Sequence, residues 1–397
     1  MPKKSIEVFV EPDVLVWARK TRGKREEDVA RRLGKSEEFI RELEAGERKL
    51  RLRQLETLAN FYKRPLAAFF LSKPPEEPSP PEDHRTFPEG ERTKEFSPET
   101  LLAIRRAQLL QASATELASS LGYETNPRIG KTSLPERFED LTARAKALAI
   151  RERKKIGVMI DTQSRWKGAY KALNEWKRQI EDMGVLVFQM SMPPKETRGF
   201  SLTEDGFPVI VLNSKEHPNP RIFSLFHEYA HLLLNHGGIC DMKHRNHIPI
   251  EIFCNHFAGA FLVPREALLN HKLVKSRKSY PEWPQEKIEE LSGYFKVSWE
   301  TVLRRLLILD LTTERFYQMK REQWQKKWEE KENVEGKKKR GGPLSPIKCF
   351  SENGAPFVSF VLEAYREEKI SSTDVADYLG VKLKHLPDIE QLMVERT

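Results

Sequence analysis

The spacing of apolar residues divides most of the chain into helical stretches around one short region of strands. Apolar positions recur at three- and four-residue intervals in residues 98–121 and 167–183, which predicts two amphipathic helices. The period then changes, because residues 185–189, 199–202 and 208–212 are short runs rich in β-branched residues and separated by turn residues. We expect these three runs to form a small sheet.

Two further helices follow the strands. The first begins at Pro218 and continues through His231, and the second covers residues 250–262 and closes at Pro264. We also expect the strand at 208–212 to offer a free backbone edge to an extended peptide by β-augmentation.

The N-terminal stretch has a different pattern, with short helices separated by polar turns. Five helical runs are expected, at residues 14–18, 26–33, 37–44, 53–62 and 65–71. Gly34 and Lys35 form a turn between the second and third runs, and Ser36 is a suitable N-cap for the third. A helix, a glycine turn and a second helix predict a helix-turn-helix module.

Breaks in composition give the expected domain boundaries. A proline-rich segment follows the module, a Lys/Glu-rich charged helix running into a loop follows residue 317, and two amphipathic helices (356–367 and 371–381) lie near the C-terminus. We predict an α+β, mostly helical fold with five parts: an all-α helix-turn-helix module at 1–72, a linker at 73–97, a helical lead-in and central domain at 98–317 (core 168–310), a charged linker at 318–346, and a small helical C-terminal unit at 347–397.

Composition excludes some classes of protein. No apolar stretch approaches the roughly 18 residues of a membrane span, so we expect no membrane partner. Three cysteines do not make a disulfide framework, and this favours a cytoplasmic location. The excess of 68 Lys and Arg over 59 Asp and Glu leaves nucleic acid open as a partner.

The chemical centre of the sequence is a His-Glu-x-x-His pattern at His227, Glu228 and His231. Positions i and i+4 of a helix project from nearly one face, so the two imidazoles can share one metal ion. Imidazoles suit Zn²⁺, and the intervening glutamate is placed to act on a water molecule. The alternative is a helix whose histidines are merely packed or solvated.

A catalytic zinc ion needs a third protein ligand, and Glu251 is our candidate. It is the only carboxylate inside an otherwise apolar helix, where a buried Glu needs a partner such as a metal. Glu251 could instead be an ordinary first-turn carboxylate favoured by the helix dipole. Other potential ligands lie close by in sequence: His236, Cys240, His244, His247, Cys254 and His256. Zn²⁺, one per chain, is expected from the ligand types, although Mn²⁺ and Fe²⁺ also accept two His and a carboxylate.

Together these segments resemble the ImmA/IrrE family of metallo-endopeptidases. The resemblance rests on Arg-Gly-Phe-Ser-Leu at 198–202, Pro-Val-Ile-Val-Leu-Asn at 208–213, the stretch from 221 to 234 that contains the HExxH pattern, and the stretch from 251 to 264. It implies a zincin-like central domain with gluzincin-type ligands at His227, His231 and Glu251, and a general base at Glu228. It also implies a protein substrate, such as a transcriptional repressor or another regulatory protein, with a toxin-like protein encoded nearby as a further candidate partner.

The N-terminal module is similar to Xre (lambda-repressor-like) domains, which are often fused ahead of such peptidases. The expected recognition helix departs from a DNA-reading pattern, because it offers Glu37, Glu38 and Glu42 with Arg41 alone as a cation. Basic residues flank the helix, and we expect DNA contacts chiefly from Arg41, Lys35, Arg48 and Lys49. The alternative is a solvated charged surface on a protein-binding or dimerising module.

An interpretation of a different class is open for the whole chain. In it, the protein is a non-proteolytic DNA-binding regulator or antitoxin-type partner whose metal site is structural or relic. Glu228 argues against that interpretation, because a purely structural metal site needs no general base.

Overall fold

The computed structural model describes residues 6–75, 96–124, 127–203, 206–235, 238–240, 249–276, 282–335 and 346–394. These residues fall into two compact units, the first made of 6–75 with 96–105 and the second of the described residues from 106 onward. The predicted α+β class with a predominance of helix is confirmed. The finer domain boundaries stay a prediction.

The first unit is a bundle of short helices with one two-residue ladder. Its elements are β1 (Glu7–Val8), α1 (Pro12–Thr21), α2 (Glu26–Leu33), α3 (Glu37–Glu44), β2 (Leu50–Arg51), α4 (Leu52–Tyr62) and a 3-10 turn at Leu66–Phe70. The fifth expected helix is therefore a 3-10 turn, and the β1–β2 pair was not expected because two residues carry no readable period.

Local chemistry explains the turn between α2 and α3. Gly34 adopts φ 64°, a left-handed conformation that glycine accepts without steric cost, and it ends α2. Ser36 begins α3, since its side chain accepts a hydrogen bond from the backbone N–H of Phe39. A two-pronged ion pair between Arg19 of α1 and Glu44 of α3, with both contacts at 2.6 Å, holds the second helix of the motif in place.

The second unit contains most of the remaining helices and a four-stranded sheet. In chain order its elements are α5 (Pro98–Ser120, which begins in the first unit), α6 (Leu141–Ile156), α7 (Ile160–Arg165), α8 (Gly168–Glu181), β3 (Leu186–Met190), β4 (Gly199–Leu202), β5 (Val209–Asn213), α9 (Pro218–Leu233), β6 (Gly238–Cys240), α10 (Pro249–Leu262), α11 (Arg265–Asn270), α12 (Lys272–Lys275), α13 (Gln285–Phe295), α14 (Trp299–Ile308), α15 (Glu314–Glu335), α16 (Pro346–Asn353), α17 (Ala355–Arg366), α18 (Ser372–Leu379) and α19 (Leu386–Val394).

The sheet has the strand order β3-β5-β4-β6. β3 and β5 run parallel, with Leu186 opposite Val209, and β4 runs antiparallel to β5. β6 was not expected and adds an antiparallel edge strand next to β4. Every residue of β4 and β5 is buried, so the sheet lies inside the unit.

The prediction that the strand at 208–212 has a free backbone edge is wrong. β5 lies between β3 and β4 and forms backbone hydrogen bonds with both, so it has no edge to offer to a peptide. Order along the chain misled the prediction, because the later strand β5 pairs with β3 and leaves the earlier strand β4 on its outer side.

The core of this unit is built around aromatic side chains of α8, α9 and α10. Trp176 of α8 is fully buried and meets the ring of Phe226 edge-on, with 4.9 Å between centroids. Phe226 of α9 stacks on Phe261 of α10 with a centroid separation of 4.0 Å. These contacts fix the relative position of the two helices that carry the HExxH residues and Glu251.

The C-terminal helices pack on the outer side of β3. Phe357 of α17 meets Phe188 edge-on at 5.7 Å, and the side chain of Gln189 donates hydrogen bonds to the backbone oxygen and hydroxyl of Ser351 in α16. In the described part of the chain, no helix is both long enough and apolar enough to span a membrane.

Three features expected from the sequence lie wholly or largely outside the described residues. They are the proline-rich linker over residues 76–95, the loop with His236, His244 and His247, and the basic cluster at 337–340.

Leu148 and Ile150 of α6 provide a matched test of this packing. Leu148 is 5% exposed and belongs to the core, whereas Ile150 is 66% exposed. We expect Leu148→Ala to lower the free energy of unfolding by about 2–5 kcal/mol through lost burial and a cavity, and Ile150→Ala to change it by about 0.5 kcal/mol or less. Chemical denaturation of both variants measures this, and equal effects would contradict the placement of α6.

Candidate metal centre

α9 carries the HExxH residues on a face turned into the protein. The helix begins after His217, whose Nδ1 accepts a hydrogen bond from the backbone N–H of Asn219, and Pro218 occupies its first turn, where no N–H is needed. His227 and His231 both have 0% exposure. Their rings therefore lie among apolar side chains instead of in solvent.

α10 brings Glu251 to the same place from the opposite side. Glu251 lies in the first turn of α10 and is only 2% exposed. Its Oε2 lies 3.2 Å from Nε2 of His227, and its Oε1 lies 3.1 Å from Nε2 of His231. The two Nε2 atoms are themselves 3.2 Å apart. Among the described residues, this is the one group of three or more His, Cys, Asp or Glu side chains that could hold a metal ion.

The donor set fits a tetrahedral divalent metal. Two ligands on a zinc ion with bonds of about 2.0 Å are separated by roughly 3.3 Å, close to the 3.2 Å between the imidazole nitrogens. Both oxygens of Glu251 are buried and, within the described chain, make no hydrogen bond of good geometry in spite of their short distances to the rings. Nitrogen and oxygen atoms that converge in this way in a buried place are typical of a metal site.

Electrostatics keep Glu251 in the form that a metal requires. Burial by itself would raise the pKa of Glu251, but the close contacts with His227 and His231 outweigh it and hold the pKa well below its usual value. The alternative interpretation takes Glu251 as an ordinary first-turn carboxylate favoured by the helix dipole. Glu251 does lie in the first turn of α10, but its side chain faces the two histidines.

Glu228 lies beside this group without belonging to it. It is 2% exposed, and its Oε2 accepts a hydrogen bond of 3.0 Å from the hydroxyl of Ser201 in β4. Burial raises the pKa of Glu228 to about 8; the charge of His231 and the Ser201 hydroxyl oppose the rise, and Glu251 adds to it. A carboxyl group in this range can both take up and release a proton near neutral pH.

Ser201 is a site residue that the sequence reasoning missed. In a strand, alternate residues share a face, so Ser201 and Gly199 both face the HExxH helix. A Cβ atom at Gly199 would lie 2.8 Å from the carbonyl oxygen of Val211 and 3.5 Å from Glu228. Glycine at this position therefore allows β4 to lie close to β5 and to the side chain of Glu228. The alternation of small and large residues in Gly-Phe-Ser-Leu at 199–202 could have indicated that Ser201 shares a face with Gly199.

Behind the site, a second buried carboxylate anchors α9. The hydroxyl of Tyr229 donates to Oε2 of Glu152 in α6 at 3.0 Å, and Glu152 also contacts Arg151 at 3.3 Å. Burial and the negative charge of Glu152 raise the pKa of Tyr229. Tyr229 therefore remains a hydrogen-bond donor that ties the HExxH helix to α6.

The other potential ligands divide into two groups. Cys254 is fully buried, and burial raises the pKa of its thiol well above the usual value, which leaves it a neutral core residue. His256 lies outside the group around Glu251. His236, His244 and His247 lie outside the described residues, and so does the side chain of Cys240.

In the N-terminal module, the four expected DNA-contacting residues differ in their surroundings. Arg41 pairs with Glu26 at 2.8 Å and with Glu37 at 3.3 Å, and Arg48 pairs with Glu42. Lys35 and Lys49 are exposed. The two arginines are thus partly neutralised within the fold, and the two lysines are the more available cations.

Comparison with family models gives two matches. Residues 180–307 match the model of a peptidase family described as the IrrE N-terminal-like domain, and residues 15–69 match a helix-turn-helix family. The first match contains His227, Glu228, His231 and Glu251, and the second contains α2 and α3. No curated protein matches the chain.

Metal analysis tests the ligand set directly. We expect the purified chain to hold about one equivalent of divalent metal, and the His227→Ala/His231→Ala double variant to lose it, because one carboxylate alone cannot hold the ion. Glu251→Gln should weaken binding, since an amide oxygen carries no charge. His256→Ala serves as the control on the same helix and should keep the metal. Retention of metal by the double variant, or a larger loss on replacing His244 or His247, would refute this set.

Proposed function

We propose that the chain is a zinc-dependent endopeptidase that cleaves a transcriptional repressor or another regulatory protein. The proposal is supported by the match of residues 180–307 to the IrrE-like peptidase model and of residues 15–69 to a helix-turn-helix model. Zinc is proposed from the ligand types, two imidazoles and one carboxylate.

One observation carries the peptidase assignment beyond the family match. A buried carboxyl group, Glu228, lies next to the His-His-Glu group but is not one of its ligands. A structural metal site has no use for such a neighbour, whereas hydrolysis of a peptide bond requires a group that moves a proton.

Each residue of the site has a distinct role in the proposed reaction. His227, His231 and Glu251 would hold the metal ion, which when bound supplies a Lewis acid that polarises the scissile carbonyl and acidifies water. Glu228 accepts the proton of the attacking water and returns it to the amine that leaves. Ser201 holds one oxygen of Glu228 and leaves the other oxygen available for this transfer.

The substrate class rests on the architecture and not on a contact in the site. A helix-turn-helix module on the same chain brings the peptidase to regulatory complexes, so a repressor is the substrate we propose. A toxin-like protein encoded next to the chain is a further candidate partner. Both are proteins that an endopeptidase can inactivate with one cut.

Replacement of Glu228 by Gln tests the mechanism. The amide still accepts a hydrogen bond from Ser201, so Glu228→Gln should keep the fold and the metal content, but it cannot take up a proton. We expect cleavage of a neighbouring repressor-type protein, and of unfolded casein as a general probe, to fall by about 100-fold or more. The appearance of fragments followed by mass spectrometry measures the loss.

Two controls complete that experiment. Glu266→Gln changes an exposed glutamate on α11 and should leave cleavage unchanged. If Glu228→Gln cleaves as fast as the parent chain, Glu228 is not the general base. If the metal-loaded parent cleaves neither probe, the non-proteolytic interpretation gains support.

The helix-turn-helix module generates a prediction on DNA. We expect binding by the full chain to be weak and to fall steeply with salt, with little preference among sequences, because the cations flank an acidic helix. Lys35→Ala/Lys49→Ala should reduce the salt slope by about 2, roughly 1 for each lost phosphate contact. Arg41→Ala should matter less, since Glu26 and Glu37 already hold that side chain.

A competition titration at two salt concentrations, with one designated duplex against random DNA, measures these effects. Lys20→Ala, an exposed lysine on α1, is the control. Discrimination of about 10³-fold or more in favour of one sequence would show that α3 reads bases. An absence of binding at low salt would favour a module that binds protein.

A further inference from the structure

A cluster of cationic side chains lies on another face of α10. We call it the cation cluster: its cations are Lys146 of α6, Arg265 of α11, and Arg304 and Arg305 of α14, and the neutral His256 of α10 lies among them. His256 is five residues after Glu251, about 140° round the helix, so the cluster and the metal ligands use different faces.

The members of the cluster act on one another electrostatically. Burial lowers the pKa of His256 to about 4, and the charges of Arg304, Lys146 and Arg305 contribute to that shift. Burial also lowers the pKa of Lys146, and Arg305 and Arg265 contribute in the same direction. The charges of these side chains therefore act within one region of the unit.

Arg305 is the buried base of the cluster. It is 3% exposed, and its Nε donates a hydrogen bond of 2.9 Å to the carbonyl oxygen of Val263. Its Nη1 is buried and has no hydrogen-bond partner in the described part of the chain, and Nδ1 of His256 is in the same situation. Burial lowers the pKa of Arg305 to about 10, with a further contribution from Arg265.

Acidic groups do little to balance these charges. Among the described residues, Asp310 is the acid that acts on Lys146. Glu300, one turn before Arg304, already contacts Tyr317 and Arg321, each at 3.4 Å. As far as the chain is described, neither Lys146, Arg265 nor Arg304 forms an ion pair within 4.0 Å, whereas many other arginines of the protein do.

Such an arrangement is costly unless an anion completes it. A buried guanidinium with an unsatisfied N–H loses its hydration without compensation, and like charges around it add repulsion. Exposure rises from buried Arg305, through half-buried Lys146 and Arg304, to exposed Arg265. The unsatisfied Nη1 of Arg305 therefore lies at the inner end of a group of cations that reaches the surface.

We propose that the cation cluster is a binding site for a phosphate group. A phosphate dianion offers oxygens in several directions and two negative charges, which suits donors from four helices better than the planar, singly charged carboxylate does. Inorganic phosphate and the phosphate of a nucleotide share this chemistry. The site is independent of the proposed peptidase activity, because it needs neither the metal nor the general base.

Binding is tested with the full chain by calorimetry and thermal unfolding, with inorganic phosphate and AMP as separate probes and sodium chloride at matched ionic strength. We expect phosphate or AMP to raise the unfolding midpoint by several degrees at saturation, as ligand linkage requires, and chloride not to do so. Lys146→Gln and Arg304→Gln change residues that are only half buried, and each should weaken binding about tenfold or more.

Two further variants distinguish binding at the cluster from a general effect of surface charge and from binding at the metal centre. Arg144→Gln removes an exposed charge from α6, two residues before Lys146, and should leave binding unchanged. The His227→Ala/His231→Ala double variant should bind phosphate as the parent does. A stronger response to AMP than to phosphate identifies the nucleotide as the ligand class. Equal midpoints in phosphate and chloride, or undiminished binding by both Lys146→Gln and Arg304→Gln, would overturn the proposal.

Discussion

The burial of His227, His231 and Glu251 together is the constraint on which the region at 180–307 depends. Three polar side chains in an apolar interior are unfavourable unless they satisfy one another or a common ligand. The aromatic contact between Phe226 and Phe261 sets the separation of α9 and α10, and the nitrogen and oxygen atoms of the three side chains then lie 3.1–3.2 Å apart. The tie from Tyr229 to Glu152 resists rotation of α9. A change in any of these contacts would therefore shift the positions of His227, His231 and Glu251 relative to one another, although the three residues themselves stay the same.

The sequence predicts the structure best where a residue pattern has one physical meaning. The HExxH spacing fixes two side chains on one helical face, and the polar exception in an apolar helix, Glu251, pointed to its partner. Prediction failed where tertiary packing decides. α6 was missed because its many Arg and Lys side chains obscure the apolar stripe that packs on α10. The edge of β5 was misassigned, since pairing between strands cannot be read from their order.

α10 shows how one helix can serve two sites without conflict. Its 14 residues place Glu251 towards α9 and His256 towards the cations of α6 and α14, while the fully buried Phe253, Phe257 and Phe261 lie on the remaining face. Because the two groups lie on different faces of α10, we expect occupancy of the cation cluster to leave the metal affinity unchanged.

The N-terminal module shows the opposite use of charge. The acids of α3 are compensated inside the module: Glu44 by Arg19, Glu42 by Arg48, and Glu37 by Arg41. A DNA phosphate that approached Arg41 or Arg48 would have to compete with these carboxylates, and each broken pair would offset part of the gain from counterion release. Glu38 is exposed in the first turn of α3 and interacts with the charge of Arg41, so a basic protein partner meets weaker competition there than at Glu37 or Glu42. Any binding of DNA at this surface therefore depends on the ion pairs that Arg41 and Arg48 already form within the module.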